Sequence, residues 1–579
     1  MDNKTIAAVF EEMGDILDIQ GADFFRINAY RKAALTIKDF PQDLRKIVGE
    51  NPLNMPKIPG IGPALREKII ELIQNGDCDE HEKMKKDFPA GLLEMLKLRG
   101  VGPKKVKLFF YQLKITTLSE LKKAAEQKKL RELEGMGPKS EEDILKAIEE
   151  YSTFSTKRHL ISTALKEAEK YIDYMKKCKH IDKITYAGSL RRCEETIGDI
   201  DILVTIKGDE ENRRIVSKHF VEYEDVVNVV AEGKTKSAVF LESGIDVDLR
   251  VLKDDEFGAA LHYFTGSKAH NIKMRDIAKN KGLKINEYGV FKGDKKIGGK
   301  TEKEIFDSVG LPFIIPELRK NDGEIEYAQK HKKIPKFVDV SDIKGDLHSH
   351  SVYSDGKRTI KEMAETFISL GYEYFAITDH SSLVGVSNGM GTKEIKKQWA
   401  EVDKLRADLD GKIKILKGCE VDILKDGSLD FGEEVLKELD IVLISAHLYN
   451  RMPADQQTKR MIAAIENPYS QILCHPTGRL LNKRAEMEFD MEKVIDACIA
   501  NKVSLEINSS PSRLDLSDKY LRIAKDKGAK FVINSDSHDT SHPAFITFGV
   551  GIARRGWLEP DDVLNTFDFK RLTQYLRRL

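Results

Sequence analysis

The hydrophobic pattern changes period along the chain. Residues 1–150 read as helix-like patterns joined by short phrases: Ile58-Pro59-Gly60-Ile61-Gly62-Pro63-Ala64, Leu98-Arg99-Gly100-Val101-Gly102-Pro103-Lys104 and Leu133-Glu134-Gly135-Met136-Gly137-Pro138-Lys139. A helical stretch from about Ser155 to Lys177 then leads into apolar-polar alternation, which predicts strands over Ile184-Thr185-Tyr186-Ala187, Asp199 to Val204, Ile245 to Val251 and Ile285 to Phe291. Beyond residue 344 short apolar runs alternate with helical patterns, and seven of them end in polar, metal-capable side chains. The pattern predicts a multidomain α/β protein: helical segments over 1–85 and 86–150, a mixed sheet with helices over 151–255, a smaller α/β piece over 256–318, a linker over 319–343, and a barrel of seven β/α units over 344–579.

Candidate chemistry follows from where these elements end. On a strand, Asp199 and Asp201 point to one face, and two adjacent carboxylates repel unless a cation lies between them. Asp246 and Asp248 alternate in the same way, and spacing alone does not choose between them as a third partner. Gly188-Ser189 forms a small-residue turn where backbone could approach a phosphate, with Arg191 and Arg192 beside it. An isolated Asp-x-Asp is most often a solvated strand edge; this company makes it a candidate two-metal phosphoryl-transfer site.

In the last segment the strand ends carry His348, His350 and Asp355, then Asp379-His380, Glu420, His447, His475, Glu506, and Asp536-Ser537-His538. One such histidine is ordinarily a core residue, but six in a repeating position with carboxylates predict a metal cluster suited to Zn²⁺ or Mn²⁺. Cys419 and Cys474 adjoin ligands, so alternation predicts that both turn away.

In the helical region the glycines allow tight hairpins and the prolines suit the first turn of the next helix, leaving its free amides to face a phosphate. Gly60, Gly62, Gly100, Gly102, Gly135 and Gly137, with Lys104 and Lys139, are therefore candidate phosphate contacts, and the resemblance of their phrases to helix-hairpin-helix motifs implies that the phosphates are those of DNA. Composition adds no basic field, since Lys plus Arg and Asp plus Glu each number 95. Six scattered cysteines imply a reducing compartment without a disulfide framework, and no apolar run suits a membrane span or signal peptide. A cytoplasmic protein is expected.

The three Gly-apolar-Gly-Pro phrases resemble helix-hairpin-helix motifs. The Asp199 and Asp201 segment, with Leu261-His262-Tyr263-Phe264-Thr265-Gly266-Ser267-Lys268 after it, resembles the nucleotidyltransferase palm of the family X DNA polymerases, the group that includes DNA polymerase beta. That resemblance implies Asp199, Asp201 and, by its Asp-apolar-Arg pattern, Asp248 as holders of two Mg²⁺ (or Mn²⁺) ions. It implies Gly188, Ser189 and Arg192 at the phosphates of a dNTP, Tyr263 and Phe264 beside its sugar, Gly266 among the dNTP-binding residues, Asn271 at the base edge and Arg275 on the template strand. Asn28 to Ala34 resembles the start of the family's lyase domain and Lys68 falls where its Schiff-base lysine lies, although Phe25 and Ala64 depart from the pattern. A plain phosphate contact is the other reading of Lys68.

The residues from His348 to His538 resemble the polymerase and histidinol phosphatase (PHP) domain, a trinuclear phosphoesterase. By resemblance His348, His350, Glu420 and Asp536 hold one metal, Glu420 bridges to a second on His447 and His475, and Asp355, His380 and His538 hold a third. Together these resemblances imply a monomeric polymerase that fills short gaps in DNA during repair, with a 3′-5′ exonuclease and incision at abasic sites as a further capacity. The alternatives are a nucleotidyltransferase acting on RNA or a small molecule fused to a phosphatase, and a DNA-end-binding scaffold with degenerate catalysis. Residues 319–343 are expected to be either a DNA-touching linker or a solvated spacer.

Overall fold

The structure is a computed structural model that describes residues 1, 3–38, 44–51, 55–58, 60–86, 88–96, 98, 101–154, 158–208, 210–382 and 389–576. The chain forms two compact units, Met1–Thr156 and Lys157–Leu579.

The first unit is helical, as the 3.6-residue period predicts. Helices Pro63–Asn75, Pro103–Leu113 and Pro138–Phe154 each start with the proline of a repeated phrase, because a residue without an amide hydrogen loses nothing at that position. Gly62 and Gly102 cap the first two in extended conformation. Gly60 and Gly135 take positive φ, 85° and 73°, which turns the chain within two residues. Nothing would meet a side chain at Gly62, Gly102, Gly135 or Gly137, so these turns present bare backbone outward. Lys104 and Lys139 are exposed beside them, and Gly100 lies outside the described residues.

The second unit opens on a five-stranded sheet in the order Ile181–Tyr186, Asp199–Ile206, Asp246–Leu252, Lys236–Leu241, Val226–Ala231. Only the central pair, Asp199–Ile206 with Asp246–Leu252, is parallel. A three-stranded antiparallel sheet over residues 284–298 and helices Phe257–Thr265 and Lys268–Asn280 follow. The remainder is a nearly closed barrel of seven parallel strands arranged in chain order, from Gly345–Asp346 to Phe531–Asn534. A parallel bridge from Ser349 to Ser537 brings its first and last strand ends together. Strands buried on both faces explain the short all-apolar runs in the sequence.

Residues 319–343 are not a solvated spacer. Arg319 is fully buried; its Nε donates to Ile314 O at 2.9 Å and its Nη1 to Glu302 Oε1 at 2.7 Å. Helix Glu324–His331 seats Ile325 and Ala328 in a core shared with Phe337 and Trp557. Arg319, Lys320, Glu324 and Asp339 are paired within the unit, while all three lysines of the basic tract, Lys332, Lys333 and Lys336, are exposed. One buried apolar cluster continues from the five-stranded sheet into the barrel.

Candidate functional site

Two sites lie in the second unit. At the first, parallel register sets Asp199 beside Asp246 and Asp201 beside Asp248, so period-two alternation gathers four carboxylates at neighbouring strand ends. Burial, followed by the charges of Asp199 and Asp248, pushes the Asp201 carboxyl up to about 7. Asp248 also lies 3.3 Å from Lys236 Nζ, whereas Asp246 is exposed. Carboxylates crowded this closely favour a divalent cation.

The turn before this strand is held against it. Gly188, at φ 62°, begins the short helix Gly188–Arg191, and a Cβ there would run into the Asp201 carboxylate. A cleft of about 600 Å³ has Gly188, Ser189, Arg192, Asp199, Asp201, Tyr263, Phe264, Gly266, Asn271 and Arg275 on its walls. Every nucleotide contact expected from the sequence therefore faces one space. Arg192 Nη1 donates to Thr265 O, which ties the two halves of the cleft together, and Asn271 Nδ2 donates to Tyr263 O at 2.7 Å within one of them. Arg158, Glu194 and Lys268 line it as well. The sequence reading missed Arg158: a single arginine outside any motif carries no signal until Thr196 Oγ1, 2.9 Å from its Nε, fixes its place.

The second site lies at the C-terminal ends of the barrel strands, as expected of a β/α barrel. Glu420 is its centre. Glu420 Oε2 lies 3.2 Å from His348 Nε2, 3.5 Å from His350 Nε2 and 3.1 Å from His380 Nδ1. Its Oε1 lies 2.9 Å from His475 Nε2 and 3.4 Å from His447 Nε2. Asp536 Oδ1 is 3.2 Å from His350, and Asp355 Oδ1 is 3.3 Å from His538 and 3.6 Å from His380. The nine expected ligands converge. Donor atoms close enough to share an ion group as His350, Asp355, His380 and His538; as His348, His350 and Asp536; and as His380, Glu420 and His447.

The donor set suits metal ions. The ring nitrogens of His350 and the Nδ1 of His380 are buried and make no well-aligned hydrogen bond, although carboxylate oxygens lie 3.1 to 3.5 Å from His380 Nδ1 and His350 Nε2, an arrangement that suits a cation placed between ring and carboxylate. Burial drives His380 down to about 3, and the carboxylates Asp355 and Asp536 hold His538 up at about 9 against the opposing effect of its burial. Burial would raise Asp536, but His348 and the other histidines hold it well below the ordinary range.

Some supporting residues were not assigned from the sequence. Glu506 Oε1 accepts from His348 Nδ1 at 2.7 Å and from Asn534 Nδ2 at 2.9 Å, and its Oε2 from the His475 amide at 2.8 Å, so it orients two ligands. Asp422, one alternation beyond Glu420, lies 3.3 Å from His447 Nδ1; its period-two spacing was the available signal. Cys419 turns away from the site, its Sγ towards Asp379 O. Cys474 does not. It faces the barrel interior among Leu347, Leu416 and Ile472, in donor range of His348 and Glu420. Strand alternation fails at His475, whose φ of 28° swings it inward after Cys474.

In the first unit, Lys68 Nζ lies 2.6 Å from Glu80 Oε2, and Arg26 and Tyr30 share that carboxylate. Glu80 thus offsets the positive charges of Lys68 and Arg26.

Comparisons with known proteins agree with this division. The family described as DNA polymerase beta thumb matches residues 260–320, and the PHP domain matches 346–540. A helix-hairpin-helix domain matches 1–78 and a SAM-like helix-hairpin-helix tandem 92–150. A DNA polymerase/3'-5' exonuclease PolX of Bacillus subtilis (strain 168) is 38% identical over the whole of both chains. DNA polymerase lambda of Arabidopsis thaliana is 25% identical over 55% of this chain and 62% of its own. A probable phosphatase of Thermoanaerobacter sp. (strain X514) is 31% identical over 40% of this chain and 94% of its own.

Proposed function

This chain belongs to the family X DNA polymerases that carry a PHP domain, and from that premise we propose that it fills short gaps in DNA by template-directed dNTP addition and trims 3′ ends with the barrel. The observation that carries the first half is the single cleft onto which both strand-end aspartates and every expected nucleotide contact open. Asp199, Asp201 and Asp248 would hold two Mg²⁺ or Mn²⁺ ions, whose chemistry is to acidify a primer 3′-hydroxyl and neutralise a triphosphate. Ser189, Arg192 and the Gly188 backbone hold the phosphates, Tyr263 and Phe264 pack on the sugar, Asn271 reaches the base edge and Arg275 the template strand. The hairpin turns grip the DNA backbone without reading bases.

In the barrel His348, His350, Asp355, His380, Glu420, His447, His475, Asp536 and His538 would hold up to three Zn²⁺ or Mn²⁺ ions, which supply an activated water and charge stabilisation for phosphodiester hydrolysis. Glu506 and Asp422 keep the rings turned inward. The Glu80 ion pair favours Lys68 as a structural or phosphate-side residue; failure of borohydride to trap the protein on an abasic 5′-phosphate would agree, and trapping would restore the lyase role.

The test uses a gapped, end-labelled DNA with wild type, Asp199→Ala/Asp201→Ala and His348→Ala/His350→Ala. The aspartate variant is expected only to shorten DNA and the histidine variant only to extend it, each losing its own activity by at least about 100-fold. Nuclease activity retained by the histidine variant would refute the division of labour. The resemblance to a probable phosphatase favours a second reading, a barrel acting on small phosphate esters; relative rates on histidinol phosphate and on a DNA 3′ end decide between them.

A further inference from the structure

In the phosphoesterase reading the nine barrel ligands serve the phosphate of a substrate, and a nucleobase would need a contact of its own. At the rim, two residues beyond His447, Tyr449 is 49% exposed and adopts φ 59°, a left-handed conformation that is unfavourable for a bulky residue. Several contacts hold it there. Asn450 Nδ2 donates to His447 O at 3.0 Å and closes the turn onto the ligand itself. Arg460, only 2% exposed, spends its donors on backbone: Nε on Leu424 O at 2.7 Å, Nη1 on Leu448 O at 3.0 Å, and Nη2 on Ile423 O. Its guanidinium lies 5.6 Å from the Tyr449 ring centroid. One face of the ring is thus backed by a buried, immobilised cation.

We propose that Tyr449 is a stacking platform for the 3′-terminal nucleobase of the strand being trimmed, and so a specificity-determining residue that favours nucleic acid over small phosphate esters. The proposal rests on the phosphoesterase reading of the barrel. A rigid aromatic face suits an enzyme that must remove any base, because every base offers a π-face and stacking reads none of them. Arg451, exposed on the next turn position but one, adds a cation for the strand's backbone.

The test compares wild type, Tyr449→Phe and Tyr449→Ala in two assays. Hydrolysis is followed on a single-stranded oligonucleotide and on bis(p-nitrophenyl) phosphate, which has no nucleobase to stack. Stacking is read directly as quenching of a 3′-terminal 2-aminopurine in an oligonucleotide whose last linkage is a slowly hydrolysed phosphorothioate. Tyr449→Ala is expected to raise the oligonucleotide KM about 5- to 150-fold, the range of one base-aromatic stack. It should also abolish the quench and leave bis(p-nitrophenyl) phosphate hydrolysis within about twofold of wild type, whereas Tyr449→Phe behaves as wild type in both assays. An unchanged KM with the quench intact would overturn the platform, as would parallel loss on both substrates, which would mean that Tyr449 only supports the rim. If wild type hydrolyses neither substrate, the phosphoesterase reading fails, and the quench alone still decides the platform.

Discussion

Asp515 shows burial outweighing nearby cations: Arg479 and Arg513 both favour its charged form, and burial still prevails. It is fully buried, accepts from the Thr477 amide at 3.1 Å, and is pushed by burial up to about 7. Because the folded state holds this proton more tightly than an unfolded aspartate at about 3.8, stability is lost as pH rises from about 4 to 7. Asp515→Asn is therefore expected to stabilise the protein relative to wild type at pH 8 and not at pH 4, by no more than roughly 4 kcal/mol; thermal midpoints at the two pH values check it, and an equal difference at both would exclude this origin. Glu506 is the opposite case. Its burial would raise it, but the His348 ring beside it holds its carboxyl low. Glu506→Gln is expected to weaken metal retention in the barrel by about 10- to 100-fold, read by competition against a chelator, with polymerisation unaffected.

At the scale of elements, the turn at Gly188–Arg191 is the most constrained piece of the cleft. Gly188→Ala meets both a positive φ and the Asp201 carboxylate. It is expected to lower gap filling by at least about tenfold while leaving 3′ trimming as in wild type, measured on the same labelled gap. This turn was legible in the sequence because a Gly-Ser pair precedes two aspartates on one strand face. The hairpins and the seven strand ends were legible for the same kind of reason: each is local and repeated. What sequence could not show depends on non-local partners. Arg319 and Glu324 look like surface charge until Glu302 and His270 meet them in the core. His475 and Cys474 defeat alternation because one residue departs from strand dihedrals, and nothing in Leu473-Cys474-His475 announces that.

Across the second unit, sheet and barrel are joined by more than chain connectivity. Glu195 lies 2.5 Å from Arg479, Glu194 lies 2.9 Å from Arg555, and Lys320 lies 2.5 Å from Asp518. Arg319→Met is expected to destabilise this unit by about 3–5 kcal/mol, since it removes one partner of a buried pair; a shift in the denaturation midpoint of that unit, with the first unit's transition unmoved, checks it. The shared core has a kinetic meaning. Two activities on a flexible tether would meet a DNA end at an encounter rate set by the tether, and on separate proteins at one set by abundance. Here the distance and angle between them are built into the packing, so the odds that a released end is lengthened or shortened next behave like a gear ratio. Dilution changes how often a DNA end is met, and leaves the balance between extension and trimming where the fold has set it.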